Sequence, residues 1–396
     1  MRRAVADVVV LSGVRTAIGD FGGALKECSP ITLASLVAKA AISRSGIDPA
    51  TIGHCFAGHV IPTESRDLYL ARAIAIEAGL MQSAAALTLN RICGSGLQAI
   101  ISAAQSIMLG DTKAAVAVGV ESMSRGGYLL PSLRWGQRMR DAVAMDMMVA
   151  ALTDPFDHVH MGVTAENIAR KWKITREQQD QFALESHRRA RHAIDQGYFR
   201  DQIVPVEMTD RNGNRSFVTD EHPRQTSLDA LAKLPSAFIE NGTVTAGNAS
   251  GINDAAAALI LMESGAAERQ GELIPLARLV AYGHAGVDPA FMGIGPVPAV
   301  RQAMQRAGLR VEDMDVIESN EAFAVQAYAV AQELDFDPQK TNPNGGAVAL
   351  GHPIGATGCI LSVKAIHELH RCRGRYALVT LCIGGGQGIA AIFERL

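Results

Sequence analysis

Leu89-Asn90-Arg91-Ile92-Cys93-Gly94-Ser95-Gly96-Leu97-Gln98-Ala99-Ile100 sets one cysteine between a run of strand character and a run of helix character. Upstream, Ala84 to Leu89 is a short apolar run of strand length. Downstream, Leu97, Ile100, Ile101, Ala104, Ile107 and Met108 recur at helical spacing as far as Leu109. Gly94 and Gly96 are expected to form the joint. A thiol there faces the unpaired N–H groups and the positive dipole end of the helix, which favour thiolate and should lower its pKa. Cys93 is therefore a candidate nucleophile, although a cysteine also serves as a small buried hydrophobe. The rest of the chain has to decide between the two.

Working outward, 396 residues suggest roughly two to three domains. Apolar residues make up 48% of the chain, enough for a large core, and the 38 glycines with only 5% aromatics suit the tight turns and close helix–sheet packing of an α/β protein. Charge is balanced, with 37 basic and 40 acidic residues, so neither nucleic acid nor an anionic membrane is an expected partner. Met1 to Leu11 holds two arginines and only a short apolar run after Asp7, which reads as a buried strand and not a signal peptide. No stretch approaches the roughly 20 apolar residues of a membrane span. A cytoplasmic protein is the expectation. Its six cysteines lack any C-x-x-C pair, so they are read as reduced thiols, with neither disulfides nor a metal site.

In chain order, a turn-rich segment follows the first strand. Leu33 to Ser43 is a helix ended by Gly46, a strand lies near Cys55 to Val60, and a helical stretch carries Leu68, Leu70, Ala71, Ala75 and Ile76. The Cys93 unit comes next, then a strand from Ala114 to Val120. Strands alternating with helices call for a parallel or mixed sheet covered by helices. The C-terminal third repeats this plan at a constant offset of 262: Gly46 matches Gly308, Gly96 matches Gly358, Ile101 matches Val363, and Ala115-Val116-Ala117 match Ala377-Leu378-Val379. Cys93 then corresponds to Gly355. The expected organisation is a first half over 1–272 with an inserted, mainly helical subdomain at about 122–245, and a second half over 273–396. The insert carries both tryptophans, and Thr175 is a natural N-cap for a helix within it.

Three further motifs lie late in the chain: Ser319-Asn320-Glu321-Ala322-Phe323, Gly351-His352-Pro353-Ile354-Gly355-Ala356-Thr357-Gly358 and Leu381-Cys382-Ile383-Gly384-Gly385-Gly386-Gln387-Gly388. None is a phosphate loop, because no lysine follows the glycines. Jointly they bring a second thiol, an imidazole and a carboxamide to strand ends or strand-to-helix turns, where α/β folds place their sites.

The four motifs in combination resemble those of the thiolase family over essentially the whole chain, and most closely those of bacterial acetyl-CoA acetyltransferases and β-ketothiolases. The resemblance implies a five-layered αβαβα fold of two similar halves with a loop domain, assembled as a homodimer or homotetramer. It implies that Cys93 becomes acylated, that His352 takes its proton, and that Cys382 is the second acid/base. One oxyanion hole would be His352 with a water held by Asn320, and the other the backbone N–H groups of Cys93 and Gly384. Leu152, His160, Met161, Arg224 and Ser250 would lie along coenzyme A, and Leu152, Met161, Met292 and Phe323 would line a short acyl pocket. Ala230 stands where relatives can carry a serine. Expected substrates are acetyl-CoA, a short acyl-CoA and CoA, with no permanently bound cofactor. Alternatives are a degradative thiolase of longer chain range, a decarboxylating condensing enzyme, which would lack Cys382, and a non-catalytic acyl-CoA-binding protein, which would need none of the three reactive groups.

Overall fold

The computed structural model describes residues 6–210 and 213–396. The part of the N-terminal expectation that concerns Met1 to Val5 lies outside the described residues. The main sheet has ten strands among the described residues, nine of them in one row: β1 (Val8–Arg15), β2 (Ile52–Gly58), β3 (Ala85–Leu89), β4 (Ala114–Ser122), β5 (Asn253–Glu263), β6 (Ala277–Gly286), β7 (Val316–Ser319), β8 (Tyr376–Ile383) and β9 (Gln387–Arg395). The principal helices are α1 (Pro30–Ser45), α2 (Leu70–Glu77), α3 (Ser95–Leu109), α4 (Met161–Trp172), α5 (Arg176–Asp195), α6 (Pro296–Ala307), α7 (Ala324–Glu333) and α8 (Thr357–Cys372).

The strand order is β7-β8-β9-β6-β1-β5-β4-β2-β3, with the short Gly19–Asp20 strand also on β5. It reads as two copies of one plan. β2 is parallel to β4, which pairs antiparallel with β5, which pairs antiparallel with β1; β7 is parallel to β8, which pairs antiparallel with β9, which pairs antiparallel with β6. The copies join where Val9 pairs with Arg278 and Val10 with Ala277. The repeat seen in the sequence is this duplication, since β4 and β8, and α3 and α8, each begin 262 positions apart.

Helices α3 and α8 pack on each other between the two halves of this sheet, each half acting as one layer, with α1 on the strands of the first half and α6 on those of the second. This position explains their sequences. A helix between two sheets is buried all round and loses the polar face of a surface helix, and α8 buries most of its length, including Lys364 against Glu318. β4 is likewise buried at every residue, and so reads as a continuous apolar run without alternation. The segment Ile92–Leu109 is long and apolar enough by composition to cross a membrane, yet it is 67% buried as the core helix α3. α1 starts where Ser29 Oγ accepts the Thr32 N–H, with Pro30 in the first turn, and ends where Gly46 takes φ 71°.

Two details differ from the sequence expectation. The helical stretch carrying Leu68 is a 3-10 turn, Ser65–Tyr69, that runs into α2 at Leu70, and Leu68 on it is 75% exposed and not part of an apolar face. The region between β4 and β5 holds helices α4 and α5, with the Thr175 cap as expected, but it also holds a β-hairpin, Val206–Asp210 with Gly213–Phe217. This hairpin is tied to the core by a buried Arg15–Asp220 pair at 2.7 Å, an ion pair that persists in the interior because Gln202 and backbone groups complete its hydrogen bonds.

Candidate active site

After β3 the chain turns sharply into α3. Asn90 Oδ1 accepts the Ile92 N–H at 2.8 Å, while Ser95 Oγ accepts the Arg91 N–H at 2.8 Å and donates to the Ile92 carbonyl at 2.7 Å. The turn forces Ile92 to φ 46°, a left-handed conformation costly for a β-branched residue. Gly94 and Gly96 do lie at the joint, as the N-cap and in the first turn of α3, but neither takes a positive φ, and both are small for contact reasons. A Cβ on Gly94 would meet Ile383 Cδ1 at 2.6 Å, and one on Gly96 would meet Cys359 N at 2.8 Å and the Gly355 carbonyl at 2.9 Å.

Those contacts assemble the site. A Cβ on Gly358, the repeat partner of Gly96, would overlap the Leu97 backbone nitrogen, so the first turns of α3 and α8 meet backbone to backbone. Cys93 lies two residues before one helix and His352 five residues before the other. The second half supplies the remaining groups. Asn320 follows β7 and is held by its N–H on the Thr380 carbonyl at 2.9 Å, Cys382 lies on β8, and the Gly384 N–H points at the Cys93 sulfur together with the N–H of Cys93 itself. His352 is buried. Its backbone N–H donates to Asn253 Oδ1 at 2.9 Å, Nδ1 lies 2.7 Å from Thr357 Oγ1, and Nε2 lies 3.4 Å from Asn320 Nδ2. Asn320 Oδ1 is buried with no protein partner. Beneath, Glu121 at the end of β4 accepts N–H groups from Val60, Ile61 and Gly355 and lies 3.1 Å from His59 Nδ1, bracing the His352 loop from the first half.

The apolar surroundings divide in two. Met161, Met292 and Phe323 pack in one cluster with Cys382, whereas Leu152 packs in another with Cys93, Val60, Ile61, Met123 and Ile354, flanked by Met147 and Met148. The two clusters adjoin, since the Met161 N–H donates to the Leu152 carbonyl at 2.9 Å, so the four residues expected to line an acyl pocket are spread over two neighbouring apolar nests, one around each thiol. His160 caps α4 by accepting the Gly162 N–H at 3.0 Å and stacks on Phe238 at 4.6 Å, and Phe238 meets Phe323 edge-on. Ser250 is anchored by its N–H to the Ala322 carbonyl, and Arg224 is exposed, with its backbone N–H on His187 Nδ1. Ala230 is exposed in a short helix capped by Ser227. Sequence reasoning missed Thr357, Phe238, Met123, Met147 and Met148; only Thr357 had a signal, its place inside the histidine motif.

Family models describing the thiolase N-terminal domain and the thiolase C-terminal domain match residues 8–265 and 273–395. The chain belongs to the thiolase family. It is 62% identical to beta-ketothiolase BktB of Cupriavidus necator, over 98% of this chain and 99% of that one. It is 46% identical to acetyl-CoA acetyltransferase of the same organism, over 99% and 100%. The crystal structure of human mitochondrial 3-ketoacyl-CoA thiolase in complex with CoA superposes with a TM-score of 0.96 at 43% identity, covering 99% of this chain and 98% of that one.

Electrostatics in this thiolase depart from the simple helix-dipole expectation. Burial pushes the Cys93 thiol up to about 11 against the opposing N–H groups of Gly384 and Cys93, so the helix terminus alone does not make a resting thiolate. Burial also pushes Cys382 up, and a neighbouring Cys93 thiolate would push it further. Burial pulls His352 down to about 4. The resting site therefore holds two thiols and a neutral imidazole, and proton movement belongs to the reaction.

Proposed function

We propose that this thiolase catalyses the reversible Claisen condensation of acetyl-CoA with acetyl-CoA or a short acyl-CoA, and the reverse thiolysis, through an acyl group carried on Cys93. The observation that carries this reading is the meeting of two buried thiols, Cys93 and Cys382, with the Gly384 N–H aimed at the first sulfur. His352 Nε2 takes the Cys93 proton as sulfur attacks the thioester carbonyl, and the N–H groups of Cys93 and Gly384 are placed for an oxyanion at that centre. In thiolysis His352, while it holds the proton taken from Cys93 on Nε2, serves with Asn320 the second oxyanion, the enolate oxygen. Cys382 exchanges the proton on the acetyl carbon. Its neutral resting state suits it to donate to a carbanion in thiolysis.

Coenzyme A thioesters as substrates are supported by the CoA complex of the human relative. A short acyl range is supported by the Cys93 nest, which Met123, Met147 and Met148 fill with unbranched, adjustable side chains beside Leu152. Phe238 and Phe323 wall the other side. Such a nest discriminates one methylene by only about 1 to 3 kcal/mol, so five-carbon substrates should be accepted beside four-carbon ones. Two measurements test this. Acetyl-CoA should add an acetyl mass to the Cys93 peptide, in Cys382→Ser as well as in wild type, and thiolysis should fall steeply by about eight to ten carbons. Label on Cys382, or a rate rising steadily to 3-ketodecanoyl-CoA, would overturn the reading.

The assembly we propose is at least a homodimer paired through β3. This strand ends the sheet, Leu87 on it is 46% exposed, and an uncovered apolar edge is a template for a second copy.

A further inference from the structure

We propose that Thr357 is a positioning residue for His352, its hydroxyl taking the hydrogen on Nδ1 and so keeping Nε2 as the nitrogen that receives the Cys93 proton. The inference rests on the acylation chemistry proposed above. Thr357 opens α8 and is buried, with its hydroxyl 2.7 Å from His352 Nδ1 and 3.0 Å from the Pro353 carbonyl oxygen. A hydroxyl has one hydrogen to give, and a carbonyl can only accept. The Thr357 hydrogen therefore goes to Pro353, and the lone pair left over accepts from Nδ1–H. The other ring nitrogen agrees: Nε2 faces Asn320 Nδ2 at 3.4 Å, a group that can only donate, so Nε2 must be bare. Two separate contacts select one tautomer.

The chemistry then balances. The Cys93 S–H bond breaks as an Nε2–H bond forms, sulfur closes on the thioester carbon, and the departing CoA sulfur carries off the Nε2 proton. Throughout, Nδ1–H stays on Thr357 and the Thr357 hydrogen stays on Pro353. An aspartate in this role would stabilise the imidazolium and hold the proton. A hydroxyl orients the ring without adding charge, so the proton remains easy to return to the leaving group. Thr357 also fixes the distance, because its own N–H bonds the same Pro353 carbonyl at 3.1 Å and its side chain cannot follow a drifting ring.

The test uses the full-length enzyme. Thr357→Val keeps shape and removes the hydroxyl, while Thr357→Ser restores it. Valine should slow single-turnover acylation of Cys93 about tenfold or more with KM little changed, and should shift the pH profile of Cys93 alkylation toward that of an unassisted thiol. Serine should stay within about threefold of wild type. Independently of either variant, nitrogen NMR of histidine-labelled wild type should show Nδ1 protonated and Nε2 bare, with His352→Gln giving the assignment. A valine variant that acylates like wild type, a serine variant as slow as valine, or an Nε2–H tautomer would each overturn the proposal. A wild type that never acylates Cys93 would instead overturn the proposed function, and the NMR result would still decide the tautomer.

Discussion

Replacing Gly96 by alanine tests whether contact between the two helix starts builds the site. The added Cβ would lie 2.8 Å from Cys359 N, 2.9 Å from the Gly355 carbonyl oxygen and 3.2 Å from the Ala356 carbonyl oxygen, whereas ordinary contact begins at 3.4 Å. All three neighbours are backbone, so no side chain can swing aside. The first turns of α3 and α8 must separate by roughly half an ångström, and overpacking of this kind costs about 1–3 kcal/mol. Cys93 moves with α3, while His352 moves with the loop into α8. Because a displacement of about 1 Å costs on the order of 10²-fold in rate, half of it should slow acylation of Cys93 about tenfold. Urea unfolding measures the first effect, and rapid-mix acylation by acetyl-CoA under conditions where the variant is fully folded measures the second. Gly127, which has nothing within 4 Å of its would-be Cβ, provides the control substitution. A Gly96→Ala enzyme that loses stability yet acylates at the wild-type rate would refute the idea that this contact sets the catalytic geometry.

Three further expectations can be checked directly. His352→Ala should cut both overall turnover and alkylation of Cys93 by iodoacetamide by about 10² or more, whereas Asn320→Ala should reduce turnover but leave alkylation nearly unchanged; equal alkylation in wild type and His352→Ala would remove the imidazole from thiol activation. His59 is buried, which opposes its charge, but Glu121 and Asp67 outweigh burial and raise it to about 10 from an ordinary 6.5. Its stabilisation is complete below about pH 6.5 and is lost as pH rises through 10, with a slope of up to about 1.4 kcal/mol per unit. Buried thiols add a similar trend, so the diagnostic is a shallower slope in His59→Gln than in wild type, and parallel curves would dismiss the assignment. Leu87→Lys should shift the sedimentation of the protein toward monomer, and a wild type already monomeric at micromolar concentration would exclude β3 as an interface.

Much of this architecture could be read from residue order because α/β units announce themselves locally. Gly46 ends α1 as expected, although its Ser29-Pro30 start lies three residues before the expected Leu33, and the glycine and apolar matches at offset 262 correspond to equivalent elements of the two halves. The residues that meet at the candidate site were legible for a related reason, since reactive side chains beside glycines at strand ends are rare combinations. The hairpin in the inserted region had a signal in Asn212-Gly213, which favours a two-residue turn, but the charged residues around it lack the alternation that would have drawn attention. Three features could not be read at all. The left-handed conformation falls on Ile92 because hydrogen bonds from Asn90 and Ser95 converge there, not because isoleucine prefers it. The thiol pKa values follow from burial, which local sequence does not report and which here outweighs the helix terminus. The methionine nest around Cys93 gathers Met123, Met147 and Met148 from segments whose packing only the tertiary fold decides.

Cys93 belongs to the first half of the chain, and His352, Asn320, Cys382 and Gly384 all belong to the second. With the roles proposed above, a ribosome therefore releases the nucleophile long before it has made the base, the acid or one of the two N–H groups that point at the sulfur. During that interval the first half carries an ordinary thiol at a helix end, with nothing to draw off its proton. On the proposed mechanism, reactivity needs the second half docked and the starts of α3 and α8 in contact. The division of labour between the halves thus spares the nascent chain a thiol reactive enough to be acylated or oxidised before the protein around it is finished.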